Sequence, residues 1–180
     1  MSNRGIILAS LSLIIAIAGV AVGAFSFISL NNYSNSVNTY VLPMARVYYE
    51  GPTYTIASGS SGTFNYNQKN YDTHGAFNLA SDSYTIPESG FYHIIAQYSI
   101  FASDGDFFYI QLFSNNILIC SRSWGSSVTT NTFGVALSDI NNFTEGDSLT
   151  IHIYIWNPST ASRNIFQGDE STFFAITKLA

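Results

Sequence analysis

The clearest alternation of apolar and polar positions lies between Tyr84 and Ile100, YTIPESGFYHIIAQYSI. Tyr84 to Ile86 suit a strand, and Pro87 to Gly90 breaks it, because proline has no N–H for a ladder. Beyond the break, Tyr92, Ile94, Ala96, Tyr98 and Ile100 share one face at a period of two. Phe91, His93, Ile95, Gln97 and Ser99 share the other. The first face is a wall for a β-sandwich core. The second is mixed and suits solvent or a partner subunit.

The same period recurs in short segments with turns between them. Ala45 to Glu50, Thr53 to Ala57, Thr63 to Tyr66, Lys69 to Tyr71 and Ala76 to Leu79 are predicted strands, with a flexible loop at Ser58 to Gly62. Phe107 to Ser114 and Ile117 to Trp124 flank Asn115-Asn116. That pair is a two-residue hairpin signal, since asparagine tolerates positive φ. Asn131 to Leu137 is another strand. After the Glu145-Gly146-Asp147 turn, Ser148 to Trp156 places Leu149, Ile151, Ile153 and Ile155 on one face. Thr150, His152, Tyr154 and Trp156 occupy the opposite face. Thr172 to Leu179 closes the chain. The pattern predicts an all-β jelly-roll sandwich over residues 43–180.

Residues 6–30 break this rhythm with an uninterrupted uncharged run. As a helix it would measure ~37 Å at 1.5 Å per residue, long enough to cross a ~30 Å hydrocarbon core with some tilt. Arg4 precedes it and acidic sequence follows. The positive-inside rule therefore puts the N-terminus in the cytoplasm and the remainder outside. The expectation is a single-pass anchor over 1–30 and a polar linker over 31–42. Two other readings stay open. One is a cleaved secretory signal with small residues near Ala21 to Ala24. The other rests on Arg4-Gly5, which resembles an archaeal prepilin processing site; the apolar helix would then form the core of a filament. Gly19 and Gly23, with Ala16 and Ser12, make a small-residue ladder for close helix packing, although small residues are common in membrane spans. Asn32 and Asn142 head glycosylation sequons that would face outside.

Composition narrows the function. Charged residues are only 9% and aromatics 16%, so uncharged polar side chains must cover most of the surface. That suits an extracellular β-rich domain better than a cytosolic enzyme. With Arg4 set aside, 5 basic residues face 11 acidic ones, a net of −6. No basic stripe exists, which argues against a nucleic-acid partner. The single cysteine, Cys120, excludes an intrachain disulfide and reads as a small buried hydrophobe.

An ordered set of short segments resembles the globular head of the complement component 1q and tumour necrosis factor superfamily. The pieces are Phe64-Asn65, Tyr71-Asp72, Gly75-Ala76-Phe77, and Ile86 to Tyr92 with its proline-x-x-glycine-x-tyrosine spacing. They continue through the Leu112 to Leu118 hairpin, Glu145 to Leu149, and the terminal strand from Ser171 to Leu179. The resemblance implies a ten-strand jelly roll, a compact homotrimer, and action by binding rather than catalysis. Two departures stand out. No collagen stalk precedes the head, and Phe174-Ala175 occupy a place where the family often has glycine. A trimer also has a physical motive. Phe91, His93 and Ile95, with His152, Tyr154 and Trp156, put large side chains on faces the core does not need, and such faces are usually covered.

Chemistry is sparse. His74, His93 and His152 show no metal-ligand spacing, and no nucleophile elbow or phosphate loop occurs. Asp104-Gly105-Asp106 is the densest acidic turn and the candidate calcium site, since Ca²⁺ takes oxygen ligands. Some members of the resembled family bind calcium near the trimer apex. Asp139 and Asp169-Glu170 are weaker candidates, and an ordinary solvated turn is the plain alternative. The sequence thus predicts a non-enzymatic, membrane-anchored surface protein for recognition or adhesion. Its expected partners are two further copies of itself, the lipid bilayer through residues 6–30, and an unidentified extracellular protein or glycan.

Overall fold

The computed structural model describes residues 40–127 and 131–179. The anchor, filament and Asn32 expectations fall on residues outside that range. One compact unit spans Val41–Ala180. No helix among the described residues is long and apolar enough to cross a membrane.

Two antiparallel sheets enclose a single core. The first is built around β7 (Gly90–Ala102). Along one edge β7 pairs with β10 (Asn131–Phe143) over its whole length. Along the other it pairs with β13 (Phe173–Lys178) and then, at Ile100, with β12 (Arg163–Ile165). β1 (Met44–Tyr48) extends the sheet from β13, and β4 (Gln68–Asp72) extends it from β1. β2 (Tyr54–Ile56) joins β12, completing seven strands.

The second sheet is built around β11 (Ser148–Trp156) and β8 (Phe107–Ser114). β9 (Ile117–Gly125) lies beyond β8. β6 (Ser83–Thr85) and β3 (Ser61–Thr63) follow one another along the free edge of β11, and β5 (Phe77–Asn78) pairs with β6. That makes six strands.

The period-two reading holds at the centre of both sheets. Tyr92, Ile94, Ala96, Tyr98 and Ile100 from β7 are buried against Leu149, Ile151, Ile153 and Ile155 from β11. Burying such side chains stabilises by about 1.5–3 kcal/mol each. Several aromatic pairs reinforce one end of the core. Phe64 sits within 4.9–6.1 Å of the rings of Tyr49, Tyr54 and Tyr66, and Phe77 lies 5.9 Å from Phe174.

The hairpin at Asn115-Asn116 is as the sequence predicts. Both residues have positive φ, 50° and 65°, the signature of a primed turn whose twist matches its strands. The Asn115 side chain locks the turn to the next sheet strand. Its amide donates to Asp147 Oδ1 at 2.8 Å, and its carbonyl accepts from the Ser148 N–H at 3.0 Å.

Gly90 closes the Pro87 break. Its φ is +150°, and a Cβ there would lie 2.9 Å from Lys178 Cε. The Lys178 stem crosses Gly90 to place its ammonium 2.6 Å from Glu88 Oε2. Tyr92 reaches back to donate to the Glu88 carbonyl at 2.8 Å. The proline-glycine-tyrosine spacing in the sequence is therefore one folded corner.

Three expectations are corrected. The strand predicted at Thr63 to Tyr66 is displaced: β3 is Ser61–Thr63, inside the predicted loop. Past it, Phe64, whose N–H still donates to the Ile151 carbonyl at 2.8 Å, and Tyr66 plug the core, 1% and 2% exposed. β10 runs on to Phe143, past the predicted end at Leu137. Asp139 and Asn141 occupy the inward positions there and break the apolar alternation that marks a strand in sequence. β12 was not predicted, because its three residues offer a single apolar side chain, Ile165.

Candidate functional site

Because β7 and β11 bury facing sides in one core, their outward side chains point away from each other on opposite surfaces of the sandwich. This splits the predicted interface residues. Phe91, His93 and Ile95 lie on the outer face of the seven-stranded sheet. His152, Tyr154 and Trp156 lie on the outer face of the six-stranded sheet.

The first face mixes small and larger side chains at its centre. Cross-strand register places Ile95 between Ser138 and Ala175, Gln97 between Ala136 and Phe173, and Ser99 beside Gly134. Phe91 and Ile140 stand out at one end and Phe101 at the other. The polar groups here are satisfied within the chain: His93 Nε2 lies 3.0 Å from Ser138 Oγ, and Ser99 Oγ donates to the Ser171 carbonyl at 3.2 Å. On β1, the Arg46 guanidinium stacks 3.9 Å above the Phe173 ring and donates to the Asp169 carbonyl at 2.6 Å. Asn142 is exposed on this same face, directly across from Phe91. A glycan at Asn142 and a subunit contact through Phe91 would compete for the same space.

The second face is a ladder of rings. Phe107 pairs with Trp156 at 6.0 Å between centroids, Tyr109 with Tyr154 at 5.5 Å, and Phe113 with His152 at 4.4 Å. Thr63 Oγ1 lies 3.1 Å from His152 Nε2. Burial between Phe113 and Thr63 pushes the His152 imidazole below its usual range, because the charged form loses hydration. The sequence showed the β11 half of this ladder but not its β8 half, since pairing of distant strands sets the register.

In the predicted calcium turn, Asp106 is engaged by a side chain from elsewhere in the chain. Asp106 is fully buried, and both carboxylate oxygens face Arg163: Nε to Oδ2 at 2.6 Å and Nη2 to Oδ1 at 2.9 Å. The Ser103 N–H also donates to Oδ2 at 2.8 Å. These three contacts use most of the acceptor capacity of the Asp106 carboxylate. Asp104 stays on the exposed turn. Asp139 lies on β10, and Asp169-Glu170 lie just before β13. No group of three His, Cys, Asp or Glu that could hold a metal occurs among the described residues.

Cys120 is half-buried on β9 rather than fully enclosed, because β9 is the sheet's edge strand. Desolvation and the nearby Asp139 carboxylate raise its thiol pKa, and Arg122 offsets this only in part. Such a thiol stays protonated and is a weak nucleophile. His74 sits in the turn after β4, 2.9 Å from Thr73 Oγ1. The three histidines are spread over a loop and two opposite faces.

The order of strands and the two-sheet layering give the domain a C1q/TNF-like jelly-roll fold. No family model matches the sequence, and a comparison with curated proteins finds no relative. Solved structures do match. The Eiger TNF of S. frugiperda superposes with a TM-score of 0.56 at 10% identity, covering 78% of this chain and 94% of that one. Murine APRIL gives 0.56 at 10% identity over 77% and 100%. The globular domain of zebrafish complement 1qA gives 0.55 at 15% identity over 77% and 98%.

Proposed function

We propose that the chain is a membrane-anchored cell-surface recognition or adhesion protein that acts by binding, with a homotrimeric head. Residues 6–30 supply the anchor, and the head stands outside the cell. The fold supports this, since the structures it resembles are TNF and complement heads. The carrying observation is the outer face of the seven-stranded sheet. At its centre Ala136, Ala175, Gly134, Ser99 and Ser138 are small positions around Ile95, Gln97 and Phe173, and Phe91, Ile140 and Phe101 give it exposed apolar ends. Small side chains and polar groups already satisfied within the chain admit the close approach of another subunit.

A ring of three copies repeats one contact between two different patches of the subunit. Patches on opposite faces of a flat sandwich would stack copies into an open row rather than a closed ring. The trimer therefore uses the Phe91, His93 and Ile95 face together with an edge of the sandwich, and leaves His152, Tyr154 and Trp156 outside the ring.

The test is the native mass of the full chain in detergent, alongside an Ala175→Arg variant. Three copies for the parent and one for the variant are expected. A monomeric parent, or a trimeric variant, overturns the interface. Fractionation and an N-terminal mass test the anchor: an intact residue 1–30 segment in membranes supports it, whereas a mature chain starting at Ile6 in sheared filaments replaces it with the filament reading.

A further inference from the structure

The groove on the outer face of the six-stranded sheet has work assigned to it by neither the core nor the proposed ring. It is lined by Phe107, Tyr109, Tyr154 and Trp156. The Phe107 and Trp156 rings are inclined at 54° and the Tyr109 and Tyr154 rings at 65°, so the four make a faceted floor rather than a flat stack. Phe107 is 46% and Trp156 43% exposed, which is unusual for rings of that size on a surface.

What flanks the rings identifies the ligand. On β9, Ser123 stands beside Tyr109 and Ser121 beside Gln111. On β3, Ser61 stands beside Tyr154 and Thr63 beside His152. None of these four flanking positions carries Asp, Glu, Lys or Arg, in a protein with 6 basic and 11 acidic residues, and the one exposed aliphatic neighbour of the ladder among the described residues is Leu118, beside Phe113 at its far end. A nucleic acid or other anion needs cationic contacts, which are missing from this face. A protein anchor is generally met by a desolvated apolar pocket that draws on Arg and Met as well as rings. Here the four rings of the groove, Phe107, Tyr109, Tyr154 and Trp156, are flanked by hydroxyls and an amide.

That arrangement matches a sugar. A pyranose has an apolar C–H face that stacks on a ring and an equatorial rim of neutral hydroxyls. Tyrosine and tryptophan offer rigid contact area with polar tips at little cost in side-chain entropy. We propose that this groove binds a neutral glycan, with Trp156, Tyr154, Tyr109 and Phe107 as stacking platforms and Gln111, Ser121, Ser123 and Ser61 as hydrogen-bonding partners. Outward residues along a strand repeat every ~7 Å, so the ladder from Phe107 to Phe113 extends ~20 Å and accommodates an oligosaccharide rather than a single ring. The proposal rests on the binding-protein reading but not on the trimer.

The experiment is a titration of the full chain, in a detergent without a sugar headgroup, against neutral oligosaccharides of glucose, mannose, galactose and N-acetylglucosamine. The signal is tryptophan fluorescence, with calorimetry as a second readout. A saturable change with at least one series is expected. Trp156→Ala should weaken it by about tenfold or more, the loss of one stacking platform. Tyr154→Phe, which keeps the ring, should weaken it less, and Phe91→Ala on the opposite face should leave it unchanged. Binding to no series overturns the proposal, as does undiminished binding by Trp156→Ala. Native mass separates the two readings. A Trp156→Ala chain that binds no glycan but stays trimeric supports both. A Trp156→Ala chain that falls to monomers makes this face the subunit contact and removes the glycan site.

Discussion

Asp106 and Arg163 lie 57 positions apart and meet as a two-point ion pair in which Asp106 is fully buried and Arg163 mostly so. Asp106 sits in the turn between β7 and β8. Its backbone N–H and C=O bond to Ser103 and Ser126, so the same residue ties that turn to the end of β9. Arg163 brings β12 to it. Removing one partner leaves an uncompensated buried charge, which typically costs 3–5 kcal/mol. Arg163→Met is expected to destabilise the fold by about that much, and Asp106→Asn by a similar or smaller amount, in denaturant melts monitored by circular dichroism. A loss below roughly 1 kcal/mol would mean that the pair is exposed and screened.

Gly90 should resist substitution. Gly90→Ala faces both a positive φ and the Lys178 stem at 2.9 Å. The strain is expected to cost about 1–3 kcal/mol, and Lys178→Ala in the same background should recover part of it. Failure of the second change to rescue would place the cost in the backbone alone.

The hairpin gives a prediction of opposite sign. Asn116→Gly is expected to stabilise by a few tenths to about 1 kcal/mol, because glycine adopts φ near 65° without steric cost. Asn115→Ala is expected to cost about 1 kcal/mol, since it gives up the bonds to Asp147 and Ser148. Equal effects at both positions would contradict the assignment of the side-chain lock to Asn115.

Acid should act on the head in two stages. His152 is depressed below 6.5 by burial, so the folded state disfavours its protonation more than the unfolded chain does. Its contribution is fully present above pH 6.5 and declines as pH falls through that value. For Asp72, burial alone would raise the carboxyl. Hydrogen bonds from Lys69 and from the N–H groups of Phe77 and Ala76 outweigh it, so the net shift is downward from 3.8. Its contribution is present above pH 3.8 and is lost as pH falls further. Melting temperatures from pH 8 to 3 should therefore decline first near the histidine range and again in the carboxylate range. His152→Gln should remove the first decline and leave the second.

The sequence disclosed those parts of the fold that repeat. The β8 and β11 bounds match the expected segments, which the Asn115-Asn116 and Glu145-Gly146-Asp147 turns delimit, and the buried faces of β7 and β11 are the ones their alternation marks. It lost β10 beyond Leu137, where Asp139 and Asn141 point inward, and it lost β12, which is too short to show a period. The surface was legible only by strand. His152, Tyr154 and Trp156 could be grouped, but that Phe107 and Tyr109 join them, and that Phe91 lies on the far side, depends on sheet register and layering. Asp106 illustrates the same limit. Its neighbour in sequence, Asp104, suggested a cation, whereas its neighbour in space is Arg163.

The most direct test of the proposed assembly is cysteine labelling in native membranes, in a Cys120→Ser background. Ala175→Cys sits on the outer face of the seven-stranded sheet and Ser123→Cys on the outer face of the six-stranded sheet. The account predicts that a membrane-impermeant maleimide labels position 123 to completion while position 175 stays protected until detergent and dilution separate the subunits. Equal labelling of both sites in intact membranes would contradict it.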